Sequence, residues 1–343
     1  MKKLLVLLGC VLLVLGFALH SVWQWWQHPM PGQRPAEIVV GEGSSLSAVA
    51  AELERNGALQ WPRLWSFTAR LQGLDAKIKR GEYRLEADLS PAQLLAVLVA
   101  GRVVQYSVTL PEGINLDSAI ALLHQQEPLR ALLEDGEDPR LLELVAPTAS
   151  AEGLFFPDTY LYSRGESDLD ILRHAHRRMK TVLNTAWENR DLALPYEEPY
   201  QALVMASIVE KETGLAAERE RIAGVFTRRL ERNMRLQTDP TVIYGLGREF
   251  DGNLRRRHLE DRSNPYNTYQ HKGLPPTPIA LPGAAAIEAA LHPAAGQELY
   301  FVARGDGSHE FSETLEQHQL AVKAYQLKRR KDYRSSPAAG DGE

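Results

Sequence analysis

The hydrophobic positions change period several times along the chain, and each change marks an element. Lys2 and Lys3 precede an uncharged run over residues 4–19, which continues through His20, Ser21 and Val22 to Trp23, Trp25 and Trp26. At about 1.5 Å per residue, roughly twenty helical residues cross a bilayer core, and tryptophans favour its interface. The lysines then stay cytoplasmic and everything after Trp26 is exported. A cleaved signal would need small residues before its cut, and His20-Ser21-Val22-Trp23 offers a poor site. Leu7-Leu8-Gly9-Cys10 has the form of a lipoprotein box, but the apolar stretch before it is short and uncharged residues run on beyond it. The reading is an uncleaved anchor over residues 1–27.

Residues 28–36 contain Pro29, Pro31 and Pro35 and cannot hold a regular helix, so they predict a spacer. Glu37-Ile38-Val39-Val40 predicts a strand, Gly41-Glu42-Gly43 a turn, and Ser44-Ser45-Leu46 a helix start, with Leu46, Val49, Ala50 and Leu53 on one face. A helix around 63–71 and a strand at 81–85 follow. Val40-Gly41-Glu42-Gly43-Ser44-Ser45-Leu46 is echoed by Leu110-Pro111-Glu112-Gly113-Ile114-Asn115-Leu116, which suggests a reused strand-turn-helix unit; two copies are too few for a solenoid. Residues 152–160 gather aromatics around the turn-forming Pro157-Asp158, either as a core-facing turn or as a substrate wall. Residues 169–187 predict a helix, and so do 199–213. In the latter, Leu203, Ser207 and Glu210 recur at helical spacing, Tyr200, Val204 and Ile208 line a neighbouring stripe, and Gly214 is the stop.

Composition narrows the function. With 343 residues and ordinary apolar and charged fractions, the chain can bury a sizeable core and form more than one domain. A net charge of -5 without a long basic run argues against nucleic acid as a partner. The one cysteine, Cys10, excludes an internal disulfide, and the usual zinc spacings are absent, including any paired histidine motif near His318.

The candidate chemistry centres on Glu210. It falls in the last turn of its helix, where unsatisfied carbonyls and the dipole disfavour negative charge, and small and apolar neighbours surround it. Its acid form is therefore expected to be favoured. Glu212, two residues on, points to another face and reads as solvated. Two further stretches, 235–245 and 264–279, mix amides, hydroxyls, rings and rigid prolines, a combination suited to an uncharged polar polymer; well-packed loops are the plainer alternative.

Ala206-Ser207-Ile208-Val209-Glu210-Lys211-Glu212-Thr213, Leu236-Gln237-Thr238-Asp239-Pro240-Thr241-Val242-Ile243-Tyr244, Tyr266-Asn267-Thr268-Tyr269, Gly273-Leu274-Pro275-Pro276 and Ala289-Ala290-Leu291-His292-Pro293 resemble, in this order, the motif series of the MltG (YceG-like) family of endolytic murein transglycosylases. The resemblance runs from the anchor to about residue 325 and implies an α+β fold. The chain is read as an anchor over 1–27, a linker over 28–36, a small module over 37–105 that resembles a LysM domain in its strand, turn and helix, a connecting strand-turn-helix region over 106–165, a mixed α+β catalytic domain over 166–328, and a flexible tail over 329–343. Sugar binding and a purely structural role are both open for the LysM-like module.

The resemblance further implies that Glu210 is the catalytic acid, with Gln237, Thr238, Asp239, Tyr244, Tyr266, Asn267 and Tyr269 binding substrate and no metal or cofactor. The implied reaction cuts the MurNAc-GlcNAc β-1,4 bond inside nascent peptidoglycan strands, leaves 1,6-anhydro ends and thereby terminates elongation. Peptidoglycan synthases are implied partners at the inner membrane, with the body of the chain in the periplasm. One departure is Leu281, where a polar residue is expected, which puts substrate contact at that position in doubt. A two-carboxylate hydrolase with Asp239 as base, and a non-catalytic peptidoglycan-binding scaffold, are the alternatives.

Overall fold

The computed structural model describes residues 2–30 and 32–327; the tail expected over 329–343 lies outside them. The fold is mixed α+β with one N-terminal apolar helix, and the chain divides into two compact units. The first comprises Met1–Ser107 with Leu161–Glu166, the second Val108–Tyr160 with Ser167–Glu343.

In the first unit, α1 (Lys2–Gln27) is by length and composition able to cross a membrane. β1 (Ala36–Val40) alternates buried and exposed side chains and pairs antiparallel with β2 (Gly81–Leu85), Ala36 opposite Leu85. α2 (Leu46–Arg55) is capped by Ser45, whose side chain accepts from the Ala48 amide, and buries Leu46, Val49, Ala50 and Leu53, as their spacing predicts. α3 (Pro62–Leu71) and α4 (Pro91–Ala100) close the core around Trp65, whose indole N–H donates to the Pro91 carbonyl at 3.0 Å. Within the proline-rich stretch before β1, Met30 is buried in this core.

The chain enters the second unit along β3 (Tyr106–Thr109) and later leaves and re-enters it around β4 (Thr159–Tyr162), the strand with which β3 pairs. The stretch 106–165, read above as a connection, thus contributes its 108–160 part to the same unit as the helices that follow. These begin with α5 (Leu116–His124), α6 (Pro139–Val145), α7 (Asp168–Glu188), α8 (Pro199–Glu212) and α9 (Arg219–Glu231). α10 (Asp239–Leu246), α11 (Arg256–Glu260) and α12 (Ala284–Leu291) come next, then the hairpin of β5 (Tyr300–Ala303) and β6 (His309–Ser312), and α13 (Leu315–Tyr325).

α8 is the centre of this unit. Ala202 to Val209 are buried without a break, so the helix is enclosed on all sides rather than amphipathic. It packs against α7, α9 and, most extensively, α12, whose Ala286, Ala289 and Ala290 permit close approach. The sequence echo has a structural counterpart. Gly43 (φ 71°) and Gly113 (φ 75°) each take the left-handed turn position before a helix capped by Ser45 or Asn115.

Candidate active site

Two backbone segments converge on the end of α8. Gly113 donates its amide to the Leu281 carbonyl (2.8 Å) and Leu281 donates to the Ile114 carbonyl (2.7 Å), which ties the Glu112-Gly113 turn to residues 279–283. Fully buried Ser207 on α8 accepts from the Ile279 amide (3.0 Å) and donates to the Val204 carbonyl (2.7 Å). Lys211 Nζ donates to the Gly113 carbonyl at 2.9 Å. Glu210 lies where these segments meet, its Oε2 accepting from the Gly283 amide at 3.0 Å. Leu281 has no exposed surface, so that position contributes backbone bonds and core packing.

Burial raises the Glu210 pKa above the ordinary carboxylate value, and the negative charge of Glu112 pushes the same way. The Gly283 hydrogen bond and the charges of Arg219 and Lys211 oppose the rise without cancelling it. Desolvation therefore leads among the causes of the rise, in keeping with the small and apolar neighbours seen in the sequence. Glu112 is itself exposed, and its carboxylate rests on Gly283: a Cβ added there would stand 1.9 Å from Glu112 Oε1. One glycine thus accommodates two carboxylates, Glu210 on its amide and Glu112 against its Cα.

Two more acids sit behind this pair. Glu152 is buried and accepts from the Leu116 amide (3.1 Å), the Gly153 amide (3.2 Å) and the Tyr244 hydroxyl (3.2 Å). Burial outweighs those bonds and lifts its pKa to about 7. Glu212, expected to be solvated, is instead half-buried, accepts from the Thr238 hydroxyl and is pushed up to about 7 by desolvation. The expectation failed because the 235–238 loop folds over that side of the helix end.

Glu152 has a measurable consequence. A carboxyl whose folded pKa is raised favours the fold most below its unfolded value, near 4.5, and that contribution is lost as pH rises through about 7. The loss amounts to roughly 3 kcal/mol at 1.36 kcal/mol per unit. Thermal melts are expected to show the protein less stable at pH 8 than at pH 5, with the difference reduced in Glu152→Gln. An equal pH dependence in that variant would show that Glu152 is not its source.

The remaining residues singled out from sequence form a loop cluster built on Arg229. This buried guanidinium donates to the carbonyls of Leu299 (2.7 Å), Leu236 (2.7 Å) and Arg235 (3.1 Å), and so fixes the irregular segment leading into α10. Gln237 is exposed in a left-handed conformation (φ 56°) and donates its amide to the Thr268 carbonyl at 3.2 Å. Thr238 is buried on Glu212 and donates its amide to Thr268 Oγ1 at 3.0 Å. Asp239 is exposed and accepts from the Tyr269 hydroxyl at 2.7 Å. Tyr244 meets Tyr266 edge-on at 4.9 Å, and the Tyr266 hydroxyl lies 2.9 Å from Thr277 Oγ1.

Asn267 is fully buried. Its amide donates to the carbonyls of His258 (3.0 Å) and Asp261 (2.6 Å), and its Oδ1 accepts from the Tyr269 amide (3.0 Å), so it braces the loop from within. Glu212–Thr238 joins this cluster to the Glu210 end of α8, and Glu152–Tyr244 joins it to the start of α5 through the Leu116 amide. The Gly273-Leu274-Pro275-Pro276 motif lies elsewhere. It lines a cavity of about 450 Å³ with Pro195, Tyr200 and Val204, and Tyr200 is ten residues, or about 15 Å of helix, from Glu210. Among the described residues no three of His, Cys, Asp and Glu converge as a metal ion would require.

Glu112, Glu152, Arg219 and Arg229 were not singled out from sequence as site residues. The repeated Glu-Gly turn was a signal for the first, and the glycine and aromatics after Glu152 for the second. Arg229, in an Arg228-Arg229 pair, looks like a surface charge.

The model of the YceG-like family matches residues 38–324. An endolytic murein transglycosylase of Bacillus subtilis is 30% identical over 307 residues, covering 84% of each chain. The endolytic murein transglycosylase of Streptococcus pneumoniae R6 is 27% identical over 332 residues, which are 86% of this chain and 59% of that longer relative. The crystal structure of a yceG-like protein, lmo1499 of Listeria monocytogenes, superposes with a TM-score of 0.53 at 27% identity, covering 84% of this chain and 98% of that one. With the match running through the Glu112 turn, α8 and the 235–283 loops alike, the chain belongs to the YceG-like family.

Proposed function

We propose that this chain is a peptidoglycan lytic transglycosylase that cuts within glycan strands, with Glu210 as its acid and base. The observation that carries this reading is the desolvated Glu210 carboxyl, held by the Gly283 amide beside the Glu112 turn. A hydrolase needs two carboxylates about the bond, whereas a transglycosylase can work with one because the substrate supplies its own nucleophile. Protonated Glu210 gives its proton to the bridging oxygen as the bond to N-acetylmuramic acid breaks. The resulting carboxylate accepts the proton of that sugar's 6-hydroxyl while the hydroxyl oxygen closes on the anomeric carbon. Water is not consumed and Glu210 ends protonated again.

The aromatic rings of Tyr244, Tyr266 and Tyr269 and the exposed side chain of Gln237 are the groups that support a sugar-binding role, while Asn267 and Thr238 hold the loops that carry them. The α1 helix anchors the chain in the inner membrane with Lys2 and Lys3 inside and the rest in the periplasm, near strands under synthesis and the synthases that make them. The antiparallel β1–β2 pair with flanking α2 and α3 supports the LysM-like reading of residues 37–105. On intact glycan strands, early products of many sugars are expected; disaccharides released first and steadily would mean cutting from an end.

A second reading follows from Glu112. Asp239 is bonded to Tyr269 and bears on Glu212, whereas Glu112 is the acid whose charge bears on Glu210. If a second carboxylate took part, it would be Glu112. We expect it to tune Glu210 instead: its charge keeps Glu210 protonated to higher pH, against the opposing charges of Arg219 and Lys211. Glu112→Gln should then keep activity within about tenfold at its optimum, with the alkaline limb of the pH profile moved to lower pH. Complete loss of activity at every pH would favour the two-carboxylate reading.

A further inference from the structure

We infer that the outward face of α3 rests in the membrane interface beside the anchor, giving the first unit a second contact with lipid. α3 buries Trp65, Ser66 and Ala69 in the core. At 100° per residue, Leu64, Phe67 and Leu71 fall on the opposite side of the helix, and Trp61 stands just before its first turn. Trp61, Phe67 and Leu71 are 58%, 59% and 72% exposed. A surface helix in water carries its polar residues on that face; an apolar stripe opposite the core calls for a second apolar surrounding.

The anchor identifies that surrounding. The Trp61 ring lies 5.4 Å from Trp25 in the last turns of α1, and neighbouring Trp26 is buried in the unit's core, so the start of α3 is held at the level where the anchor's tryptophans end. Trp61 reaches this position with φ 56°, a left-handed conformation that is costly for a bulky aromatic side chain. Arg63 and Arg70, seven residues apart, flank the stripe on one side, where a guanidinium can meet lipid phosphate while the rings lie deeper. The partner is therefore the lipid surface around α1.

This inference rests on the membrane-anchor reading of α1, and the test separates the two. Single nitroxide labels are placed at positions 13, 63, 64, 67, 70 and 71 of the full chain carrying Cys10→Ser, reconstituted in nanodiscs of phosphatidylcholine and phosphatidylglycerol in equal parts. Power saturation compares access of lipid-soluble oxygen with that of a water-soluble nickel chelate. A several-fold higher oxygen-to-nickel ratio at 64, 67 and 71 than at 63 and 70, with a high ratio at 13, is the expected result. A high ratio at 13 with nickel-accessible 64, 67 and 71 would overturn the α3 contact while leaving the anchor intact. Nickel access at 13 as well would overturn the anchor and, with it, the inference.

Discussion

Glu210→Gln is expected to reduce glycan cutting to near background while leaving the melting temperature unchanged or slightly higher. Glutamine keeps the shape of the side chain and can still accept from the Gly283 amide, so the loop packing around it has no reason to move. It can neither give the proton that breaks the glycosidic bond nor take the one that closes the anhydro ring. Each general acid-base step contributes roughly 10²- to 10⁴-fold, and this variant loses both. Stability should not fall, because a carboxyl whose burial raises its pKa is being replaced by a neutral group. Rates on purified glycan strands and a thermal melt check both halves. Retention of most activity would remove Glu210 from the mechanism.

Arg229→Met is expected to have the largest effect on stability. The guanidinium is buried and donates to three carbonyls from two separate segments, 235–236 and 299, while lying 5.1 Å from the Tyr300 ring. Methionine matches much of the stem but leaves those carbonyls without donors, at about 1–3 kcal/mol for each that water cannot reach. It also removes a positive charge that partly offsets the desolvation of Glu212. A loss of about 3–5 kcal/mol follows, or roughly 10 °C in melting temperature for a unit of this size. Activity should fall with it, since the 235–238 segment carries Gln237 and Thr238. Lysine keeps the charge but not the planar fork, so Arg229→Lys should recover only part of the stability. A melting temperature within about 2 °C of wild type for Arg229→Met would show that solvent or rearrangement satisfies the loop.

What could be read from sequence was mostly local. The spacing of Leu46, Val49, Ala50 and Leu53 located α2 and its buried face, and the Ser45 cap lies where the residue pattern placed it. The helix over 199–213 emerged with Glu210 in its last turn. Periodicity marked two stripes on α8, yet Ala202 to Val209 are buried without a break, because α7, α9, α10 and above all α12 pack around a helix that no local pattern pairs them with. Glu152 illustrates the limit. Its partners Leu116 and Tyr244 are 36 and 92 residues away, and only the closed fold turns a glutamate among aromatics into a buried acceptor. The same holds for Glu212, for Arg229 and for Asn267, whose amide looks suited to a sugar in sequence and faces three backbone carbonyls in the fold. The catalytic assignment of Glu210 came from the motif series, and the geometry adds a physical reason for its acidity to be tuned.

In the mechanism proposed for Glu210, one carboxyl acts twice and the substrate's own hydroxyl, not water, closes the reaction. Mass spectrometry of the ends produced from intact glycan strands in ¹⁸O-labelled water tests it directly. The expected ends are 1,6-anhydro-N-acetylmuramic acid and carry no label. Reducing N-acetylmuramic acid ends with ¹⁸O at the anomeric carbon would contradict it and make the enzyme a hydrolase.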